Sequence, residues 1–298
     1  MFTKLLKIGA WITGTVVLIA ALVRPFIIKP PYTPVKEVEP VVVEPEPEPP
    51  EVPLHNVDLP DFGKITDIRA KKKAFFDFIA PSVEKANSVI MSERAVLAEI
   101  IENYDMTQVL TDEHTQQLGQ LNKRYRVSSR LPVDQQLAAL KLRVDVIPDA
   151  LVLVQAANES AWGTSRFARI GLNFFGIWCY SKGCGMVPRG RNEGAHHEVE
   201  AFQSVDDAVT RYLNNLNTNA AYENLHAIRA NLRAYEQPLS PEVLATGLVS
   251  YSERGNDYIM EITDMLRHNQ SYFPLVEQPA EPLIDDVVEE QPAALQIQ

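Results

Sequence analysis

The sequence predicts a mainly α protein, formally α+β, in which a small β-hairpin lobe interrupts a series of helices. Three observations carry this. Apolar residues recur at helical spacing through most of 62–273, with capping residues ahead of several segments. One stretch, 171–203, loses that spacing and is dense in glycines, aromatics and short β-like runs. Both ends of the chain, by contrast, have compositions that suit no packed core. The 298 residues are 46% hydrophobic, enough for one substantial core or two small ones, and no internal repeat is present.

Residues 1–29 form the first segment. Lys4 and Lys7 precede an apolar run, Ile8 to Val23. Its sixteen residues at ~1.5 Å each span roughly 24 Å, slightly less than a ~30 Å hydrocarbon core. Pro25 to Ile28 extend it if Arg24 snorkels to the interface. Lysines ahead of the run predict a cytoplasmic N-terminus with the rest translocated. Arg24-Pro25 stands where a small-residue cleavage site would fall, so the segment reads as an uncleaved signal anchor in the inner membrane. A cleaved signal would leave a periplasmic protein. No cysteine lies near residue 20, which excludes a lipoprotein. Residues 30–61 follow as a Pro/Glu-rich disordered linker, with Glu44-Pro-Glu-Pro-Glu-Pro-Pro50 at its heart. In extended polyproline form, 32 residues at ~3.1 Å each reach up to roughly 100 Å, a tether between membrane and domain.

Residues 62–130 read as a helical supporting subdomain. Ile65, Ile68, Phe75, Phe76 and Ile79 keep helical spacing until Pro81-Ser82 breaks it. A second helix runs Ser92 to Tyr104 with Ser92 as N-cap, and a third runs Asp112 to Tyr125. Lys71-Lys72-Lys73 suits a solvated face. The catalytic domain is expected over 131–273, with its lobe at 171–203. It opens with a helix from Asp134 to Leu142, then Pro148 in the first turn of the next helix. That helix buries a stripe of Leu151, Val154, Ala157 and Ala161. After the lobe, Ser204 caps a helix with Asp206 and Asp207 in its first turn and Ala208, Tyr212 and Leu216 inward. Leu225, Ile228 and Leu232 mark another, Ser240-Pro241-Glu242 starts a third that ends at Gly247, and a last helix runs through Arg267. Residues 274–298 are an acidic disordered tail.

Charge narrows the function. The net charge is −11, but residues 1–29 carry +4, residues 30–61 carry −7 and residues 274–298 carry −6. The globular part is therefore near neutral, without the basic field that nucleic-acid binding needs. Cys179 and Cys184 have four residues between them, compatible with one small disulfide or two free thiols. With His196 and His197 they make a poor zinc set, because the spacing is loose and adjacent histidines rarely ligate one ion together. No metal or cofactor is expected. In an exported chain the pair suits a disulfide that staples the lobe.

The chemistry concentrates at Glu159. A helix C-terminus and an apolar setting both disfavour the carboxylate, so both raise its pKa toward what a general acid near neutral pH requires. An ordinary Glu at a helix end would point to solvent. Here Trp162 offers a flat surface for a sugar, and Gly163 lets the chain turn and leave the acid uncovered. If the acid acts on a sugar polymer, cleavage calls in general for a second carboxylate, to activate water or steady the cation. Glu193, Glu198 and Glu200 are candidates, and Glu193 is preferred because it stands beside Gly194 in a turn. Trp162, Phe175, Trp178 and Tyr180 are candidates for a glycan groove, although Phe175 also suits the core.

Gln155-Ala-Ala-Asn-Glu-Ser-Ala-Trp-Gly163 followed by Asn173-Phe-Phe-Gly-Ile177 resembles the glucosaminidase family of bacterial cell-wall hydrolases, glycoside hydrolase family 73. The similarity continues through Phe202 to Val209 and Tyr251 to Tyr258, so it covers roughly residues 140–268. The resemblance implies a lysozyme-like helical fold with a β-lobe. It implies cleavage of the β-1,4 bond from N-acetylglucosamine to N-acetylmuramic acid in peptidoglycan, by a monomer without amidase activity. It puts the catalytic acid on Glu159 and a second Glu on the lobe. Asn173 and Tyr258 then belong to the substrate site. If the 2-acetamido group is the nucleophile instead, Tyr251 would orient it and no second Glu is required. A lytic transglycosylase using Glu159 alone, a non-catalytic wall-binding module and a structural envelope protein are the alternatives.

Overall fold

The computed structural model describes residues 52–191 and 194–273. The expected signal anchor, most of the linker, Glu193 and the acidic tail lie outside the described residues. Among the described residues no helix is long and apolar enough to cross a membrane.

Nine α-helices and one small sheet make up the described chain. Helix α1 is Ile68–Thr107, 40 residues. The sequence breaks it at Pro81, yet it runs straight through. Proline costs a helix interior ~3 kcal/mol or more. Burial of Phe75, Phe76, Ile79, Val83, Ala86 and Ile90 on both sides of Pro81 opposes that cost. Ser92, expected as an N-cap, instead donates back to the Ser88 carbonyl at 3.1 Å. Helix α2 is Asp112–Arg124, capped by Thr111, and α3 is Val133–Arg143.

Helix α4, Asp149–Glu159, is the centre of the molecule. Its sequence suggests one buried stripe, but Leu151 to Ala157 are all buried, Gln155 included, while Ala161 is exposed. A helix apolar all round is a core helix. Helices α5 (Arg166–Gly171), α6 (Val205–Thr218), α7 (Glu223–Ala234), α8 (Pro241–Ala245) and α9 (Asn256–His268) complete the set. Ser204 and Ser240 cap α6 and α8 as the sequence indicates.

The lobe between α5 and α6 is a three-stranded antiparallel sheet in the order β1-β3-β2. Its strands are β1 (Trp178–Cys179), β2 (Gly185–Met186) and β3 (Glu198–Glu200). The register pairs Cys179 with Glu198 and Met186 with Val199. Cys179 and Cys184 form a disulfide across the turn from β1 to β2.

Two cores result. The larger joins the N-terminal half of α1 to α4, α6, α7, α8 and α9. The smaller joins the C-terminal half of α1 to α2 and α3 through Leu97, Ile100, Leu118, Leu121, Leu137 and Leu140. Helix α3 contributes Leu137 and Leu140 to the smaller core, and its C-terminal carbonyls at Leu142 and Arg143 accept from Arg229 of α7. Asp145 ties the cores together. It accepts from Arg233 at 2.9 Å and 3.1 Å and lies 3.4 Å from Arg94 and 4.0 Å from buried Arg229. Residues 52–61, expected as the end of a free linker, lie against the domain. Leu54 donates to the Ile170 carbonyl at 2.8 Å, and buried His55 meets the Arg169 carbonyl at 3.1 Å.

Candidate active site

Glu159 is the last residue of α4. The chain reverses at once after it. Ala161, Trp162 and Gly163 all have positive φ, at 51°, 58° and 74°. The Trp162 N–H returns to the Ala157 carbonyl at 2.8 Å, and the buried Ser160 hydroxyl accepts from the Gly163 N–H at 2.8 Å. Gly163 has a second reason to be glycine: a Cβ there would come within 2.5 Å of the Phe62 ring. The tight turn leaves the Glu159 carboxyl at the helix end, half-buried.

Burial is the main influence on that carboxyl and pushes its pKa up. Hydrogen bonds from Tyr258 and Asn158 oppose the rise, Glu261 adds to it and Arg254 subtracts. Arg254 and Glu261 are themselves paired at 2.7 Å. On the facing side stands Gly176 of the Asn173–Ile177 loop, with φ 66°. A Cβ at Gly176 would lie 3.8 Å from Glu159 Oε2, so glycine keeps the acid open on this side.

Behind the acid is a tyrosine cluster. Tyr258 stacks on Tyr251 with ring centroids 5.4 Å apart, and Tyr212 and Tyr222 flank Tyr251 at 6.3 Å and 6.1 Å. Burial raises the pKa of all four phenols, and the nearby Glu159 charge adds to each rise. They remain protonated and act as hydrogen-bond groups. Sequence reading reaches Tyr251 and Tyr258. It misses Gln155, whose signal is being the one polar side chain inside the Leu151–Ala157 run, one helical turn before Glu159.

The other expected residues separate. Asn173 is 2% exposed, and its side chain organises the loop rather than lining a groove. Its amide donates to the Ile177 and Glu200 carbonyls at 2.8 Å each and accepts from the Phe175 and Ile177 N–H groups. Phe175 is core and stacks on Tyr212 at 4.1 Å. Its carbonyl accepts from Tyr251 at 2.9 Å. Trp162 packs edge-on against Phe75 and Phe76 with Lys72 over its ring at 5.2 Å, so α1 takes up much of that surface. Trp178 and Tyr180 on the lobe are 50% and 76% exposed, and Trp178 stacks on His197 at 4.2 Å. These two remain open to a glycan.

The lobe carboxylates have partners. Glu198 accepts from the Gly183 and Gly185 N–H groups at 3.0 Å and 2.9 Å, which hold its pKa below the usual range. It braces the disulfide turn. Its carboxyl and the two sulfurs lie within 4.8 Å of one another, but the sulfurs are bonded together. Glu200 meets Arg211 of α6 at 3.2 Å. Glu193 lies outside the described residues.

A profile of the glucosaminidase family, described as mannosyl-glycoprotein endo-beta-N-acetylglucosaminidase, matches residues 134–271. Protein bax of Escherichia coli (strain K12) is 33% identical over 217 residues, spanning 71% of this chain and 74% of its own. A C-terminally truncated glycoside hydrolase domain of Salmonella typhimurium FlgJ aligns over 52% of this chain and 98% of that domain. Its TM-score is 0.31 and its identity 19%, too distant to bear on the site.

Proposed function

The chain belongs to the glucosaminidase family of glycoside hydrolases, and on that premise we propose that it cleaves the β-1,4 bond between N-acetylglucosamine and N-acetylmuramic acid in peptidoglycan, with Glu159 as general acid. The observation that carries this is a half-buried carboxyl at the end of a buried helix, raised in pKa by burial and backed by tyrosine. A protonated Glu159 gives its proton to the glycosidic oxygen as the C1–O bond breaks. The sugar becomes oxocarbenium-like, and water adds at C1.

The second group acting at C1 is Glu193, as the base that activates water, or the 2-acetamido group of the substrate, as nucleophile. Glu198 and Glu200 are engaged by backbone N–H groups and by Arg211. The placement of Tyr251 supports substrate assistance. Its proton is committed to the Phe175 carbonyl, so its oxygen is left to accept the N–H of a 2-acetamido group. The carbonyl oxygen of that acetamido group then attacks C1 as the C1–O bond to the leaving sugar breaks; water opens the resulting oxazolinium ion and gives its proton back to the Glu159 carboxylate. We place the domain in the periplasm, tethered to the inner membrane by residues 1–29 and acting as a monomer. The lysines ahead of the apolar run support that topology.

The test is digestion of purified peptidoglycan with wild type and Glu159→Gln, followed by mass spectrometry of reduced products. Wild type is expected to give fragments ending in reduced N-acetylglucosamine, and Glu159→Gln about 10²–10⁴-fold fewer. Anhydromuramic ends would mean a lytic transglycosylase. Equal products from both proteins, or none from either, would overturn the assignment. Glu193→Gln separates the two routes, since substrate assistance leaves that variant active.

A further inference from the structure

Three buried side chains behind Glu159 form a hydrogen-bond chain with a fixed direction. The Tyr212 hydroxyl on α6 donates to Gln155 Oε1 on α4. Gln155 Nε2 donates to the Tyr258 hydroxyl on α9 at 2.8 Å. Tyr258 is buried in the larger core beside α4, and its phenol is the largest hydrogen-bonding influence that lowers the Glu159 pKa. Gln155 is fully buried, Tyr212 is fully buried and Tyr258 is 2% exposed, so water does not complete the set.

The direction follows from the far end. A glutamine amide can sit either way round, with oxygen or nitrogen toward Tyr212. Among the described residues the Tyr212 hydroxyl has no acceptor other than Gln155 Oε1. Turning the amide would leave that buried O–H unpaired, a cost of ~1–3 kcal/mol. The amide therefore stays with its nitrogen toward Tyr258. A phenol oxygen that already accepts from Gln155 has its own proton free for Glu159.

Resting on the assignment of Glu159 as the acid, we infer that Gln155 is a positioning residue: locked by Tyr212, it fixes Tyr258 as a donor to Glu159 and so stabilises the carboxylate formed when the acid gives up its proton. The chain is preorganised for the charge that develops in the transition state, where fixed dipoles act with little reorganisation. Each link polarises the next in the same sense. Burial keeps the proton on Glu159 beforehand, and the chain limits that effect. The other groups facing Glu159 are Glu261 and Arg254, paired at 2.7 Å, with Asn158, Tyr222 and Tyr251. The substitutions below leave all of these in place.

The experiment titrates the Glu159 carboxyl by carbon-13 NMR in protein labelled at glutamate, with Glu159→Gln supplying the assignment. Tyr212→Phe removes one oxygen, keeps the stacking ring on Phe175 and removes a hydroxyl whose hydrogen bond goes to Gln155 rather than to Glu159. It is expected to raise the Glu159 midpoint by about 0.5 pH unit, because the amide is freed to turn. Gln155→Met is expected to raise it by about 1 pH unit. The alkaline limb of glycan cleavage, where the acid loses its proton, should move upward by the same amounts. A role confined to packing would lower thermal stability and leave the midpoint alone. An unmoved midpoint in a folded Tyr212→Phe overturns the inference, whatever the glycan assay shows. Absence of cleavage by wild type would overturn the glucosaminidase assignment, while the titration would still decide whether the chain tunes Glu159.

Discussion

At the scale of a residue, Glu159 trades stability for chemistry. Its carboxyl is raised above the ordinary value of 4.5, with burial the largest cause. Between the ordinary and raised values the folded state binds more protons than the unfolded chain. Stability therefore falls as pH climbs through that window and stays lowered above it. Glu159→Gln is expected to lose about 10²–10⁴-fold in glycan cleavage. It should also melt ~2 °C higher than wild type near pH 7, with no gain at about pH 4 where wild-type Glu159 is protonated. Calorimetry at the two pH values checks this, and a variant no more stable near pH 7 would refute the claim that burial strains the acid.

At the scale of an element, the Asn173–Ile177 loop and the β-lobe decide how the acid is faced. Asn173 satisfies two carbonyls and two N–H groups from inside the loop. Asn173→Ala leaves all four without that partner, and a loss of ~2–4 kcal/mol in denaturant unfolding is expected. If the residue touched substrate instead, KM would rise with stability unchanged. Gly163→Ala puts a methyl into the Phe62 ring at a positive φ. We expect a loss of ~2–3 kcal/mol, read by thermal unfolding. The disulfide closes a short turn, so reduction should cost about 2 kcal/mol locally. Its expected signature is faster amide exchange in residues 179–200, with exchange in α4 unchanged.

At the scale of the whole molecule, α4 holds Glu159 because the helices of the larger core pack around it. The arginine cluster at Asp145 is the joint between the two cores, reaching α1 through Arg94 and α7 through Arg229 and Arg233. Burial pulls the Arg229 pKa down to about 10, with Asp145 opposing that fall. Asp145→Asn leaves a buried cation without its counter-charge. A loss of ~3–5 kcal/mol is expected, with cleavage per folded molecule unchanged. A stable variant with impaired cleavage would instead tie this joint to the active site.

Much of this was legible in the sequence because it is local. Helical spacing, the Ser204 and Ser240 caps and the composition break at 171–203 are set by neighbours a few residues apart, and they reappear in the structure. The acid was visible for the same reason, as one carboxylate ending an apolar run. What the tertiary structure decided was non-local. Pro81 stays helical because distant residues bury both sides of it, a gain no window around the proline contains. Asn173 looked like a substrate contact and Tyr212 like core, because a side chain's type does not say which partner the fold brings to it. Gln155 meets Tyr258 and Tyr212 across 103 and 57 residues of sequence. Sequence alone placed an acid at the end of a helix. Packing set which groups surround it, and through burial and hydrogen bonding those groups set how tightly it holds its proton.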